Sequence, residues 1–96
     1  MHIFDTVIAE TSKGHRVWIQ GLAAHGWQGG TTYTTQYTQD LIVYRKATEG
    51  KVRKVTAAKG GIIDTVGKRV TQWSQGAQQV RVAVDENEII IMRIAA

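Results

Sequence analysis

Val17-Trp18-Ile19-Gln20-Gly21 and Ile63-Asp64-Thr65-Val66-Gly67 open two stretches that follow one pattern. Six residues beyond the glycine of each stands a tryptophan, Trp27 or Trp73, and then a further glycine, Gly30 or Gly76. Each stretch continues through an alternating run and a polar turn. The first then reaches Leu41-Ile42-Val43-Tyr44-Arg45 and the second Ile89-Ile90-Ile91-Met92-Arg93. The glycines and tryptophans are 46 residues apart, whereas Leu41/Ile89 and Arg45/Arg93 are 48 apart, which predicts a second turn two residues longer. A unit that cannot bury its own apolar face needs its neighbour. Two such units in one chain predict one core built from both.

With 96 residues, the chain is sized for a single domain with one hydrophobic core. Its hydrophobic content, 43%, is ordinary for a folded protein, and no apolar run approaches the roughly 20 residues that a membrane-spanning helix needs. Met1-His2-Ile3-Phe4-Asp5 lacks the basic flank and apolar stretch of a signal peptide. With no cysteine there is neither a disulfide framework nor a thiolate metal site. The expectation is a cytoplasmic protein without a membrane anchor.

Charge is unevenly placed. Residues 45–69 carry eight Lys and Arg against Glu49 and Asp64, a net of +6, although the whole chain carries +4. Such a basic centre favours a polyanion through counterion release. A solvated basic connector is the plainer alternative.

The chain has 10 glycines and no proline, so glycine punctuates it. His2–Ile8 reads as a leading strand, with Thr11-Ser12-Lys13-Gly14 as a turn. His15–Gln20 reads as a strand with Val17 and Ile19 on one face, and Leu22-Ala23-Ala24 as one helical turn. The β-branched and aromatic run Thr31–Thr38 favours strand, and Gln39-Asp40 connects it to a strand over Leu41–Arg45. Lys51–Val55 reads as a short strand. The second unit gives a strand over Ile62–Val66, a helical turn over Lys68–Trp73, and a strand in which Val80, Val82 and Val84 alternate with Arg81 and Ala83. Asp85-Glu86-Asn87-Glu88 turns the chain into Ile89–Ile94, whose apolar run Ile89–Met92 reads as a strand covered on both faces.

The expected fold is mainly β, a small closed barrel of two strand–helical turn–hairpin units. Unit one spans about 15–45, a basic connector 46–60, and unit two about 61–94, all within one domain over 1–96. One such hairpin plus one strand is marginal in water, and interleaving two units removes exposed edges.

Arg16-Val17-Trp18-Ile19, the segment ending at Gly26-Trp27, Gly30 and Leu41-Ile42-Val43-Tyr44 together resemble the half-barrel of the AbrB/MazE/SpoVT swapped-hairpin superfamily. The spacing also resembles that of the SymE toxin group. Proline, common after the first strand in that superfamily, is replaced here by Gln20-Gly21 and Val66-Gly67. The resemblance implies a pseudo-dimeric barrel, either as a monomer with a pseudo-twofold core or as a homodimer. It further implies a DNA-binding transcriptional regulator or antitoxin-like protein, with double-stranded DNA as partner. A SymE-like toxin acting on RNA or nucleoid DNA is the related alternative, and a protein-interaction or inhibitor module from a mobile element is another.

Residue by residue, Trp27 and Trp73 read as core caps beneath the helical turns. Trp18, opposite in phase to Val17 and Ile19, is a candidate interaction surface or a second buried face. His2, His15 and His25 lack metal-ligand spacing, and neither a nucleophile elbow nor a phosphate loop is present. Catalysis therefore has no support in the sequence, and neither a metal nor a cofactor is expected. The candidate nucleic-acid contacts are Arg16, Lys46, Lys51, Arg53, Lys54, Lys59, Lys68 and Arg69, chiefly to phosphates; any one of them also reads as a solvated cation. The facing of the Thr/Tyr strand stays open. Tyr33 and Tyr37 project to one side, where they stack on bases or fill the core, yet Val80 aligns with Thr34 at the offset of 46.

Overall fold

Val80, Val82 and Val84 are all buried, and Arg81 and Ala83 between them point away from the core. The period of two places one side of the strand inward, and the same rule orders the rest of the chain. The computed structural model describes residues 1–95. The strands are β1 (His2–Thr11), β2 (Gly14–Ile19), β3 (Thr32–Tyr37), β4 (Leu41–Lys46), β5 (Arg53–Lys54), β6 (Ile63–Gly67), β7 (Gln79–Val84) and β8 (Glu88–Ile94). A 3-10 turn (Leu22–His25) follows β2, another (Ala58–Gly60) precedes β6, and the α-helix α1 (Lys68–Ser74) follows β6.

All pairs are antiparallel, in the order β5-β3-β4-β8-β7-β1-β2-β6. The two edges, β5 and β6, meet through reciprocal backbone hydrogen bonds between Thr56 and Ile62 (2.9 and 2.8 Å). The result is a nearly closed eight-stranded barrel. Closure disposes of the unpaired backbone groups that an open sheet would leave. Its interior holds Ile8, Val17, Ile19, Tyr33, Ile42, Tyr44, Val55, Ile63, Val80, Val82, Val84, Ile89 and Ile91, with Leu22, Trp27, Val70 and Trp73 packed in from the helical turns. Each buried aliphatic side chain is worth roughly 1.5–3 kcal/mol.

Strand pairing relates the two units in detail and corrects the spacing inferred from sequence. The Thr38 amide donates to the Leu41 carbonyl (2.8 Å), and the Asp85 amide to the Glu88 carbonyl (2.9 Å). These turns are the same length and 47 residues apart, so the second is not longer than the first. At this offset Tyr33, Tyr37, Ile42 and Tyr44 correspond to Val80, Val84, Ile89 and Ile91. In both hairpins the matching pairs, Tyr37–Ile42 and Val84–Ile89, lie opposite one another. The facing of the Thr/Tyr strand is thereby settled: Tyr33 is buried, Tyr37 is half-buried, and Thr34 is not the counterpart of Val80. Likewise Arg93 corresponds to Lys46, not to Arg45.

The connector contributes a two-residue strand, β5, to the barrel. The Val55 amide donates to the Thr31 carbonyl (2.9 Å) as the Ile8 amide donates to that of Gln78 (2.8 Å), again 47 residues apart. Thus β5 is a shortened counterpart of β1, and Val55 enters the core where Ile8 does. The outer surface departs from expectation as well. Ile89 and Ile91 are buried, but Ile90 is half-buried and Met92 exposed, so β8 is covered on its inner face alone.

Candidate nucleic-acid interface

A recess of about 300 Å³ opens between β3, β5, β6 and α1, lined by Thr35, Tyr37, Lys51, Arg53, Thr65, Val66 and Arg69. Alternation puts Thr35 and Tyr37 on the inward side of β3, the side that carries Tyr33. Lys51 and Arg53 come from the connector, and Arg69 from the first turn of α1. The Arg69 guanidinium lies 4.3 Å from the centre of the Tyr37 ring, a cation–π contact that orients it and leaves its edge donors available. Burial pushes the Tyr37 phenol above its ordinary pKa, while the charges of Arg69 and Arg53 pull it back. Lys51, Arg53 and Arg69 form no ion pair among the described residues, and neither Asp nor Glu lines the recess. Three cations thus converge on one concave surface without a counter-charge.

The pseudo-symmetric place on the other side of the barrel is also a recess, of about 360 Å³, lined by His2, Phe4, Asp5, Thr6, Trp18, Ile19 and Gln20. Counted through the strand registers, Phe4 corresponds to Lys51 and Thr6 to Arg53. Ile19 corresponds to Thr65 and Gln20 to Val66. Val82 and Val84 are matched by Thr35 and Tyr37, and Ala23 in the first 3-10 turn by Arg69. This second recess has no Lys or Arg in its lining and contains the carboxylate of Asp5. The same backbone arrangement has therefore been furnished in two ways, one without Lys or Arg and one cationic.

The remaining candidates do not join the cationic recess. Arg16 is held by Asp64, with Nε donating to Oδ1 and Nη2 to Oδ2, each at 2.8 Å, and its guanidinium lies 4.8 Å from the Trp18 ring. The Asp64 hydrogen bonds raise the Arg16 pKa further above its usual value. Lys46 donates to the Gly26 carbonyl at 2.7 Å beside the Trp27 ring. Its counterpart Arg93 donates to the Trp73 carbonyl at 2.7 Å beside the Trp73 ring. These two cations brace the tryptophans. Lys54, Lys59 and Lys68 are exposed and lie outside the recess. Trp18 is half-buried on the outward face of β2, its Nε1 donating to Gln20 Oε1 at 3.1 Å.

The sequence alone singles out Lys51, Arg53 and Arg69 by charge but gives no sign that Thr35, Thr65 and Val66 join them. The sequence admits Tyr37 as a stacking residue but does not show the guanidinium on its ring. The signal that connects them is the correspondence between the halves, and it depends on the offset of 47. Comparisons with protein-family models, with curated proteins and with solved structures found no match for this chain.

Proposed function

We propose that this chain is a small nucleic-acid-binding protein that grips phosphate through Lys51, Arg53 and Arg69. One observation carries the reading: at equivalent positions of the barrel, Phe4 and Thr6 of one half are replaced by Lys51 and Arg53 in the other. Three unpaired cations gathered where Phe4, Thr6 and Ala23 stand in the other half favour an anionic ligand. Arginine stacked on tyrosine also offers a flat cationic face to a base. The resemblance of the sequence to the swapped-hairpin superfamily narrows the reading to a DNA-binding regulator or antitoxin-like protein, and the recess is compatible with that role.

Titration into labelled duplex and single-stranded DNA and RNA at several salt concentrations tests the proposal. The expected result is affinity that falls steeply with salt, with the slope reduced by about 0.7–0.9 for each phosphate contact removed. Replacing Lys51, Arg53 and Arg69 together by alanine should weaken binding without unfolding the chain, since all three are exposed. Absence of binding even at low salt, or unchanged affinity in the triple variant, overturns the reading.

A second reading has its own observation. Ile3 and Val7 are 57% and 58% exposed on the outer face of β1. Exposed aliphatic groups on β1 favour a protein contact there, which capture of one protein after nuclease treatment would support.

A further inference from the structure

We infer that the cationic recess is built for the terminal phosphomonoester of a nucleotide or nucleic-acid strand. The inference rests on the nucleic-acid reading above and specifies which part of the ligand enters. Charge argues for it first. A phosphodiester brings one negative charge, whereas a monoester brings nearly two at neutral pH and three free oxygens. Lys51, Arg53 and Arg69 supply three positive charges with no carboxylate in the lining, so the monoester compensates them more fully.

Shape argues for it second. The recess is walled by β3, β5, β6 and α1, and its volume, about 300 Å³, is at the small end of ligand sites. A basic stripe suits the continuous backbone of a duplex. A walled recess suits a group from which the chain leaves in one direction only.

The lining argues for it third. Arg69 rests on Tyr37, so one of its faces is covered and the other is available to the first base. Thr35 adds a hydroxyl within the same wall. The Thr65 hydroxyl is already engaged by the Tyr44 hydroxyl in the barrel interior. The opposite recess, with Phe4 in place of Lys51 and Ile19 in place of Thr65, has neither Lys nor Arg in its lining and serves as the internal comparison.

The test compares one single-stranded oligonucleotide bearing a 5′-phosphate with the same strand ending in a 5′-hydroxyl, each as DNA and as RNA, at fixed low salt. Adenosine 5′-monophosphate and adenosine serve as competitors. The phosphorylated strand is expected to bind about tenfold more tightly. That preference should vanish in a Lys51→Ala/Arg69→Ala variant and persist in Lys13→Ala, which removes a cation from the β1–β2 turn. Competition by the monophosphate but not by adenosine identifies a free nucleotide as sufficient. Preference for the phosphorylated strand without such competition identifies the strand end. Equal affinity for the two strands overturns this inference and leaves the nucleic-acid reading standing. Failure of both strands to bind overturns this inference, and overturns the nucleic-acid reading as well when duplex DNA also fails to bind.

Discussion

Phe4 and Lys51 occupy the same place in the two halves of the barrel, one packed against the core and the other lining the cationic recess. If the lysine serves a ligand rather than the fold, Lys51→Phe should leave stability within about 0.5 kcal/mol or raise it, while polyanion affinity falls. The reverse exchange, Phe4→Lys, should cost roughly 2 kcal/mol because it removes a packed aromatic ring from Val82 and its neighbours. Chemical denaturation and anisotropy titration of both variants check this pair. A large loss of stability in Lys51→Phe would count against a ligand role.

Tyr44 is fully buried, and its hydroxyl is shared with that of Thr65. Burial raises its phenol pKa well above the usual value of 10.0. The unfolded chain therefore releases this proton at lower pH than the folded one, and stability present below about pH 10 is lost as pH rises further. Tyr33 and Tyr37, also raised by burial, act in the same direction. Tyr44→Phe should cost about 1–2 kcal/mol at neutral pH, because the Thr65 hydroxyl loses its partner. It should also make the alkaline loss shallower, as urea denaturation across that range would show.

Gly14 ends the β1–β2 turn at φ +122°, and a Cβ placed there would lie 2.5 Å from the Gly67 carbonyl carbon and 2.9 Å from the Lys68 amide nitrogen. Neither neighbour is a side chain able to swing aside. Gly14→Ala should therefore destabilise the protein by roughly 2–3 kcal/mol, through strained φ and separation of β2 from the start of α1. Gly76→Ala, at φ +81° with open space around it, should cost only about 1 kcal/mol. Thermal melts of the two variants separate crowding from backbone preference.

Arg93 joins three parts of the molecule. Its guanidinium donates to the carbonyls of Trp73 (2.7 Å) and Gln39 (2.9 Å) and lies 4.8 Å from the Trp73 ring. Lys46 makes the simpler contact, one hydrogen bond to Gly26 beside Trp27. Arg93→Ala should cost about 2–3 kcal/mol and Lys46→Ala about 1 kcal/mol. The two share no partner, so the double variant should be additive within about 0.5 kcal/mol.

Much of the barrel is legible in the sequence because its strands announce themselves locally. Val80, Val82 and Val84 alternate cleanly, Thr31–Thr38 favours strand, and Trp27 and Trp73 mark the helical turns. The register between halves differs from the sequence spacing because Leu41–Tyr44 is apolar on both faces. Leu41 faces outward and pairs with Met92, while Ile89, to which it was matched, faces the core. Sequence spacing alone cannot tell such neighbours apart when period two is masked. β5 was read as a strand, but its equivalence to β1 was hidden, since two residues carry no periodicity and their place is fixed by pairing with β3. The recess shows the same division. Its charge was visible in the connector, but Tyr37 and Arg69 reach Lys51 and Arg53 only after the barrel closes through Thr56 and Ile62.

Covalent fusion of the two halves has a consequence for how such a protein can change. In a dimer of identical subunits every mutation is expressed twice, so a cation gained at one mouth is gained at the other, and a ring lost from one wall is lost from both. Within a single chain each mouth can drift alone. The side that keeps Phe4 can go on securing the fold while the side that carries Lys51 explores chemistry that would unsettle a symmetric assembly.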